Sequence, residues 1–469
     1  MSMKRSVVLA TSAFIISLLF LLTIAQATYG TVIETRRNVL VNALAKLQLD
    51  GFGAFHFVVA VPQFDYFTES GTAATLETIK TLDALDRIDI DSATDYIASK
   101  QHPTSGGFGT FVGPDGTIRG FDLYTTYKMV RALKEFDALH KINQTALLNF
   151  ALARYNQSNG AFSEPITEAN GKKYAVSWFA LAFRSGLDLT AYAIPNVITT
   201  FSGVSLLREL DALNLINTTK TFDFIMSTKS SNGLFKPYPM AEQENLPSWS
   251  SLLTNPFDVD KYGTGIPYTY AAVSALKSLG RLDALNQTDR ERITQYILDC
   301  QASNGNFIIH KDFANAELSY TVYAVMTLIY IEMQDQAETA FSRVQNHVLD
   351  VQQLALGGQW PFPNDFPYYS PNQYGTFWDF GADPLSDTIR AVILLNATNG
   401  LALLDQPTPR AYVVFFNIIL ASSLITGAAT IALLTFNKLK KRKMSRESTE
   451  ASVPSLPTQN ARLSLVRLS

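Results

Sequence analysis

Three acidic residues lie at or near the starts of segments whose apolar residues have helical spacing. They are Asp122, Glu317 and Asp387. Carboxyl groups that converge on one cavity provide paired acid and base catalysis, as glycoside hydrolysis requires. A single carboxylate at a helix start has another role, because it caps free backbone N–H groups and complements the helix dipole. These residues are therefore the candidate catalytic residues, with helix capping as the alternative.

Aromatic residues make up 12% of the chain, and many lie on the same helical segments. Aromatic walls suit an apolar or sugar-like ligand, but large rings also fill a hollow core without any ligand. Both interpretations stay open for each position. The candidate substrate-binding residues are Tyr124, Tyr127, Trp178, Tyr268, Tyr320 and Tyr323.

The sequence predicts no metal site and no cofactor. The chain has five histidines without the spacing of a ligand set, and one cysteine, Cys300. A tetrahedral metal site needs several such ligands close together. A single cysteine also excludes an intramolecular disulfide, so we interpret Cys300 as a buried structural thiol.

The charge is unevenly distributed along the chain, although the net charge is only −3. Residues 28–410 contain about 28 basic and 39 acidic residues. Such an acidic body argues against nucleic-acid binding, because phosphate contacts need clustered Lys and Arg. Only 17% of the residues are charged, which is below the roughly 25% of soluble proteins and indicates a membrane-associated part.

The two ends of the chain predict a membrane protein. Residues 1–27 have a basic start, an apolar stretch and Ala-Gln-Ala, as in a signal peptide or an N-terminal anchor. Residues 411–436 carry no charge and make a helix of about 39 Å, enough to span a bilayer. The basic, Ser-rich tail 437–469 indicates the cytoplasmic side and disorder. We therefore expect a single-pass type I cell-membrane protein with an extracytoplasmic domain at 28–410, or a two-pass protein if the first segment is retained.

Five Asn-x-Ser/Thr sequons lie in the predicted extracytoplasmic domain and are candidate glycosylation sites. They start at Asn143, Asn156, Asn217, Asn286 and Asn396. Three of them, at Asn143, Asn217 and Asn286, fall in the same loop of successive repeats. This recurring position predicts that the loop is exposed.

Four segments share one design, in which Leu/Phe-Asp-Ala-Leu is followed by a glycine-containing turn and a phenylalanine. The four Asp-Ala-Leu segments begin at Leu82, Phe136, Leu210 and Leu282. The apolar spacing within each unit is helical and the strand signal is nearly absent, so each unit is a helix pair. A pair buries too little surface alone, so neighbours must stack, either as a ring of about six pairs or as a linear solenoid.

The segment Gln301 to Phe307 has the pattern Gln-x-x-x-Gly-x-Phe and precedes an apolar helix from Tyr320 to Leu328. This pattern resembles the repeat of the α/α-toroid superfamily of protein prenyltransferase β subunits and terpenoid (squalene) cyclases. The resemblance covers roughly residues 33 to 405. It implies an all-α fold, an α/α toroid of about six helical hairpins, and so a ring rather than a solenoid.

The chemistry of that superfamily is not recognisable in this chain. The transferases bind zinc through Asp-x-Cys and a later histidine, but Ser319 stands in the thiolate position and Asp387 in the histidine position. The cyclases use Asp-x-Asp-Asp, and the nearest run, Asp89 to Ser92, reads as a helix cap in a loop. Neither zinc-dependent prenyl transfer nor polyene protonation is therefore expected.

Our leading hypothesis is a non-catalytic toroid that binds an unknown ligand or protein partner outside the cell, with membrane lipid contacting its transmembrane helix. The alternative is a diverged enzyme, either isoprenoid transferase-like or cyclase-like, or a carbohydrate-active hydrolase or lyase. It would use Asp122, Glu317 and Asp387. A third hypothesis is a structural protein with a filled ring. Carboxylates gathered in one open cavity favour the enzyme, whereas carboxylates dispersed as caps favour binding.

Overall fold

The computed structural model describes the greater part of residues 35–406. The described residues are 35–49, 51, 53–55, 69–109, 111–112, 118–119, 122–164, 166–169, 172–175, 195–239, 265–309, 316–350, 352, 384–406, 434, 437–438 and 440–442. The predicted leader 1–27 lies outside them, as does the predicted spanning segment 411–436 apart from Leu434. None of the helices within the described ranges combines the length and the apolarity needed to cross a bilayer.

Twelve α-helices alternate between an inner and an outer layer in the described part of residues 35–406, which form one compact unit. The inner helices are α2 (Glu69–Thr81), α4 (Leu123–Glu135), α6 (Val197–Glu209), α8 (Ile266–Ser278), α10 (Leu318–Tyr330) and α12 (Pro384–Ala397). The outer helices are α1 (Arg36–Ala45), α3 (Ile90–Ser99), α5 (Gln144–Leu152), α7 (Thr218–Ser227), α9 (Gln287–Asp299) and α11 (Glu338–Asp350). Each inner helix packs on the next, and α12 packs on α2, so the predicted ring of six hairpins is confirmed.

The ring closes through contacts between its first and last described segments. The Arg36 N–H donates to the Gln406 carbonyl at 3.1 Å. The Arg37 guanidinium donates to both carboxylate oxygens of Asp405, at 2.6 and 3.2 Å. Because outer helices start where inner helices finish, both ends of the unit lie at the C-terminal end of the inner helices.

An aspartate in the left-handed conformation ends the inner helix in three repeats. The φ angles are 55°, 54° and 53° for Asp83, Asp137 and Asp211. Asp adopts this conformation more readily than most residues because its short side chain forms local hydrogen bonds. In the fourth repeat Gly280 has this role, with φ 68°. Our alignment of Leu282-Asp-Ala-Leu with the other three motifs was therefore wrong by three residues, because Leu282 begins the short 3₁₀ turn instead.

The outer helices of the four repeats begin at an Asp or Asn that caps the helix. Asp89 accepts from the Ser92 N–H at 3.0 Å, which confirms its interpretation as a cap. The sequon residues Asn143, Asn217 and Asn286 are exposed and accept in the same way from the residue three positions later. Asn is a preferred capping residue, so capping accounts for its recurrence in this loop. The other two sequons start at Asn156 in a turn and Asn396 in α12.

The turn that ends each outer helix brings a buried phenylalanine to the next inner helix. These phenylalanines are Phe55, Phe108, Phe162, Phe235 and Phe307, each at most 1% exposed. Each Phe N–H donates to the threonine at the fourth residue of that inner helix, namely Thr72, Thr126, Thr200, Thr269 and Thr321. The repeated threonine therefore satisfies a backbone donor that the turn leaves buried.

Replacing Thr126 by valine is expected to lower the free energy of unfolding by about 2 kcal/mol. Valine keeps the shape but leaves the Phe108 N–H, now bonded at 3.0 Å, buried without an acceptor. Urea unfolding of the full chain in detergent measures the change. Thr126→Ser is the control because it keeps the hydroxyl. A valine variant as stable as wild type would show that the hydrogen bond contributes little.

Within the described ranges, three short β-ribbons interrupt the helices, and the sequence analysis did not predict them. They pair β1 (Phe111–Val112) with β2 (Ile118–Arg119), β3 (Ile166–Ala169) with β4 (Lys172–Ala175), and β5 (Phe307–Ile308) with β6 (Ala316–Glu317). All three pairs are antiparallel. They lie in the segments that lead from an outer helix to the next inner helix, where two to four residues give too little alternation to detect.

Candidate functional site

Aromatic side chains from four inner helices meet inside the ring. The ring centroids of Tyr127 and Phe201 are 5.7 Å apart, and those of Phe201 and Tyr270 are 5.8 Å apart. Tyr270 stacks on Tyr323 at 4.8 Å. These residues are the fifth or sixth of their helices, so they form one layer across the N-terminal half of the ring. Such edge and stacked pairs stabilise the layer beyond simple burial.

Tyr124 adds a further tyrosine to this part of the interior. It lies on α4, as Tyr127 does, and its side chain is near Tyr323 of α10, three helices away around the ring. Burial raises the pKa of both hydroxyls to about 12, although Tyr124 is 39% exposed. The exposed part of Tyr124 thus borders the interior rather than bulk water. Three of the predicted binding residues, Tyr124, Tyr127 and Tyr323, are therefore brought together.

Basic residues accompany the tyrosines inside the ring, and the sequence analysis missed them. The Lys128 ammonium lies 5.0 Å from the Tyr124 ring centroid. Burial, and next the charge of Arg131, lower the pKa of Lys128. Arg131 itself forms a bidentate ion pair with Glu77 of the neighbouring inner helix. These basic residues could have been predicted from the sequence, because the spacing of Tyr124, Lys128 and Arg131 places them on one face of a helix.

A cavity of about 520 Å³ lies on the C-terminal side of the aromatic layer. Tyr127, Phe201, Tyr270 and Tyr330 form its aromatic wall. The polar residues that complete the lining are Arg131, Lys134, Ser205, Arg208, Glu209, Asp211, Ser274, Lys277 and Ser278. All come from α4, α6, α8 and α10 or the turn after α6. Among the described residues, aromatic side chains occupy the N-terminal half of the interior, and this cavity lies toward the C-terminal ends of the inner helices.

One polar group in the cavity wall has no protein partner. The Ser274 side chain is 4% exposed, and its hydroxyl oxygen makes no hydrogen bond. A buried hydroxyl without a partner costs free energy, so each example in a folded protein needs an explanation. Ser274 lines the cavity, but its hydroxyl oxygen is buried in the wall.

The candidate acid Asp122 is a helix cap that belongs to a buried cluster. Its carboxylate accepts from the Thr125 N–H at 2.6 Å and from the Thr125 hydroxyl at 3.0 Å. Glu164, missed by the sequence analysis, accepts from the Leu123 N–H at 2.7 Å and from Arg154 at 3.1 Å. Burial raises the pKa of Asp122 to about 6. Burial, and next the Asp122 charge, raise the pKa of Glu164 to about 7.

The other two candidate acids occupy different places. Glu317 ends β6, and its side chain lies outside the described residues. Asp387 is 1% exposed and accepts from Arg390 at 2.9 Å in the same helix. Asp122 and Glu317 immediately precede their inner helices, whereas Asp387 lies in the first turn of α12. The described cavity lies toward the other end of these helices, and none of the three acids lines it.

The residues at the superfamily's zinc position do not fit a zinc ion. A serine, Ser319, replaces the thiolate, and the carboxylate of Asp387 is already paired with the Arg390 guanidinium. A neighbouring guanidinium opposes a second cation electrostatically. Within the described residues no group of three His, Cys, Asp or Glu side chains has ligand geometry. Cys300 is fully buried, as predicted for a structural thiol.

Two other predicted binding residues, Tyr268 and Tyr320, are absent from the described cavity lining. Tyr268 packs against the core, and burial raises its pKa to about 12. Tyr320 is half-buried near the start of α10. Trp178 lies outside the described residues. Of the six predicted aromatic residues, Tyr127 alone lines the 520 Å³ cavity in the described structure.

The family of the protein follows from comparison with known sequences. The model of the prenyltransferase alpha-alpha toroid domain matches residues 72–182, 172–246 and 255–359, together more than half of the chain. The chain therefore belongs to this family, as its sequence pattern predicted. No curated protein sequence shows significant similarity to it.

Several solved structures are similar to the ring. The type II terpene cyclase MstE from Scytonema shares 16% identity, with 78% of this chain and 97% of the cyclase covered and a TM-score of 0.49. Candida albicans protein geranylgeranyltransferase-I, in complex with GGPP, shares 15% identity, with 84% and 94% covered and a TM-score of 0.44. A glycosidase shares 10% identity, with 78% and 97% covered and a TM-score of 0.45.

Proposed function

We propose that the protein is a membrane-anchored, non-catalytic toroid that binds a ligand with an aromatic or apolar body in its central cavity. The observation that carries the proposal is the open 520 Å³ volume walled by Tyr127, Phe201, Tyr270 and Tyr330. Small-molecule sites are cavities of a few hundred Å³ in which polar groups orient a ligand against an apolar wall, and this cavity places nine polar or charged residues beside its four aromatic ones. A ring that served only as structure has no need for this volume.

The membrane anchor and the extracytoplasmic location are part of the same proposal. They rest on the uncharged segment 411–436, on the basic residues that follow it and on the leader 1–27. The ring unit supports them in one respect. Its two ends, Thr35 and Gln406, lie side by side at one end of the ring, so the chain enters and leaves the unit on a single side.

The diverged enzyme is the alternative proposal, and the buried carboxyl pair is the observation that favours it. Asp122 and Glu164 have raised pKa values, as acid catalysts do. However, the two residues are 4% and 3% exposed and are bonded to backbone N–H groups and Arg154. They do not line the cavity. A structural role explains these contacts, so binding is the better-supported function.

Binding of a neutral aromatic probe, 2-naphthol, tests the proposal. Equilibrium dialysis of the purified full chain, with equal neutral detergent on both sides, cancels partition into micelles. We expect saturable binding at about one site per chain. Ser274→Leu places a larger side chain in the cavity and should weaken binding at least about tenfold. Ser205→Leu provides a second filled cavity if the first variant unfolds.

Ser342→Leu is the matched control, because Ser342 is exposed on outer helix α11. It adds the same apolar side chain away from the cavity and should bind 2-naphthol like wild type. Circular dichroism confirms that each variant is folded. Equal binding by wild type and by folded Ser274→Leu would overturn the proposed site.

A further inference from the structure

Three successive outer helices begin at the asparagine of an Asn-x-Thr sequon. These asparagines are Asn143 before α5, Asn217 before α7 and Asn286 before α9. Each side-chain oxygen Oδ1 accepts from the backbone N–H three residues later, at 3.0, 3.0 and 2.9 Å, respectively. Within the described residues, none of the three Nδ2 atoms donates a hydrogen bond to the protein. Each amide therefore caps its helix with one atom and leaves the other available for reaction.

Capping explains the asparagines but not the threonines that complete these sequons. Thr145, Thr219 and Thr288 are exposed, and their hydroxyl groups make no hydrogen bond in the described part of the chain. Threonine also has a lower helix propensity than Gln, Glu or Lys, so an exposed helical turn does not favour it. Helix α3 is capped in the same way by Asp89, and Asp91 stands two positions later. The fold therefore does not require a threonine at this position.

The hydroxyl groups of the other two sequons have structural partners. The Ser158 hydroxyl donates to the Asn156 side-chain oxygen at 2.6 Å. The Thr398 hydroxyl donates to the Leu394 carbonyl at 2.8 Å and accepts from the Gln345 side chain at 3.1 Å. Thr398 is also only 8% exposed. These contacts account for Ser158 and Thr398 without any modification, in contrast to the three capping sequons.

We propose that Asn143, Asn217 and Asn286 carry N-linked oligosaccharides. In this reaction Nδ2 forms a bond to the anomeric carbon of a lipid diphosphate-linked oligosaccharide. The bond from that carbon to the diphosphate oxygen breaks, the lipid diphosphate leaves, and Nδ2 loses one proton to a base of the transferase. The cap is retained, because Oδ1 is unchanged in the product. The inference rests on the extracytoplasmic location in the proposed function, since sequons are glycosylated on the surface of secreted chains.

Expression of the full chain in a mammalian cell line, followed by peptide N-glycosidase treatment in heavy-oxygen water, tests the proposal. The glycosidase converts each glycosylated asparagine to an aspartate that carries heavy oxygen, and peptide mass spectrometry locates this label. We expect the label at all three capping asparagines. Thr145→Ala, Thr219→Ala and Thr288→Ala should each remove one oligosaccharide, seen as one step in gel mobility, because each destroys one sequon and keeps the capping asparagine.

The matched controls change the middle residue of each sequon, which the modification tolerates. Gln144→Ala, Thr218→Ala and Gln287→Ala should retain the oligosaccharide. Asn217→Asp distinguishes the cap from the oligosaccharide, because Asp is as good a capping residue as Asn but has no amide nitrogen. It should lose the oligosaccharide of α7 and remain folded by circular dichroism. Loss of an oligosaccharide in a middle-residue variant, as complete as in the threonine variant, would overturn the sequon as its cause.

Protease treatment of sealed microsomes from the same cells tests the location independently. A ring protected from the protease, with no label at the three asparagines, would overturn the proposed oligosaccharides and leave the location standing. A ring digested in sealed microsomes would overturn the extracytoplasmic location, and this inference with it. Binding of 2-naphthol is measured separately, so neither result decides whether the cavity binds a ligand.

Discussion

Gly106→Ala is expected to destabilise the ring by about 4 kcal/mol, whereas Gly280→Ala should cost only about 1 kcal/mol. Both glycines have positive φ, at 80° and 68°. They differ in the space available to a side chain. A methyl group at Gly106 would lie 2.2 Å from the Ala146 backbone carbonyl oxygen, whereas nothing lies within 4 Å at Gly280. The two substitutions therefore distinguish the energetic cost of the backbone conformation from that of a steric clash.

The steric clash at Gly106 cannot be relieved by a small structural change. Gly106 lies in the turn that precedes buried Phe108, and its N–H donates to the His102 carbonyl at 2.9 Å. The group it would strike is backbone in the first turn of the next outer helix, so no side-chain rotation makes room. Moving that helix would separate two hairpins of the ring. Close-packed interiors transmit such shifts rather than absorb them.

At Gly280 the chain itself shows that side chains are tolerated. Asp83, Asp137 and Asp211 hold the equivalent position in the other repeats, with similar positive φ. Urea unfolding of both variants and wild type, in the same detergent, gives the comparison. Equal losses for the two alanine variants would show that backbone conformation alone sets the cost. The close approach of neighbouring hairpins would then not matter at this turn.

The hairpins were predictable from the sequence, but the closure of the ring was not a local property. Helical spacing and the glycine turns define each hairpin within about 50 residues. Closure depends on the angle between neighbouring hairpins, which residue periodicity does not encode. In the structure it is secured by Arg37 and Asp405, which are 368 positions apart. The prediction of a closed ring therefore depended on the family resemblance.

The cavity at the C-terminal ends of the inner helices was not predictable from the sequence, for a related reason. Acids at helix starts were visible in the sequence, but whether a hollow remains beside them depends on the radius of the ring. Tyr127, Phe201, Tyr270 and Tyr323 fill that level of the ring. The described cavity lies toward the other mouth.

Asp122→Asn is expected to make the protein more stable above neutral pH, by about 2 kcal/mol at about pH 8. Asp122 and Glu164 share one buried cation, Arg154, and burial raises the pKa of both carboxyl groups. Asparagine keeps the cap, as Asn196 does at the start of α6. The substitution removes one of two like charges that burial disfavours.

The sign of the pH dependence follows from proton binding. The folded pKa values, about 6 and about 7, lie above the ordinary values of 3.8 and 4.5. Between about pH 4 and pH 7 the folded protein therefore binds more protons than the unfolded chain. This contribution to stability is fully present at low pH and is lost as the pH rises through the folded pKa values. Asp122→Asn removes part of this loss of stability. The stability of the variant relative to wild type therefore increases with pH.

Asp89→Asn is the matched control, because the two aspartates cap their helices in the same way but differ in exposure. Asp89 accepts from the Ser92 N–H and hydroxyl, as Asp122 does from Thr125, but it lies at the surface. Its hydrogen bonds with Ser92 lower its pKa. Its contribution to stability is therefore present at neutral pH and is lost as the pH falls, so Asp89→Asn should destabilise the protein at neutral pH and little in acid.

Urea unfolding at about pH 4 and about pH 8 tests both signs. An Asp122→Asn variant less stable than wild type at both pH values would mean that the carboxylate is needed in its charged form, and that Arg154 outweighs burial at this cluster.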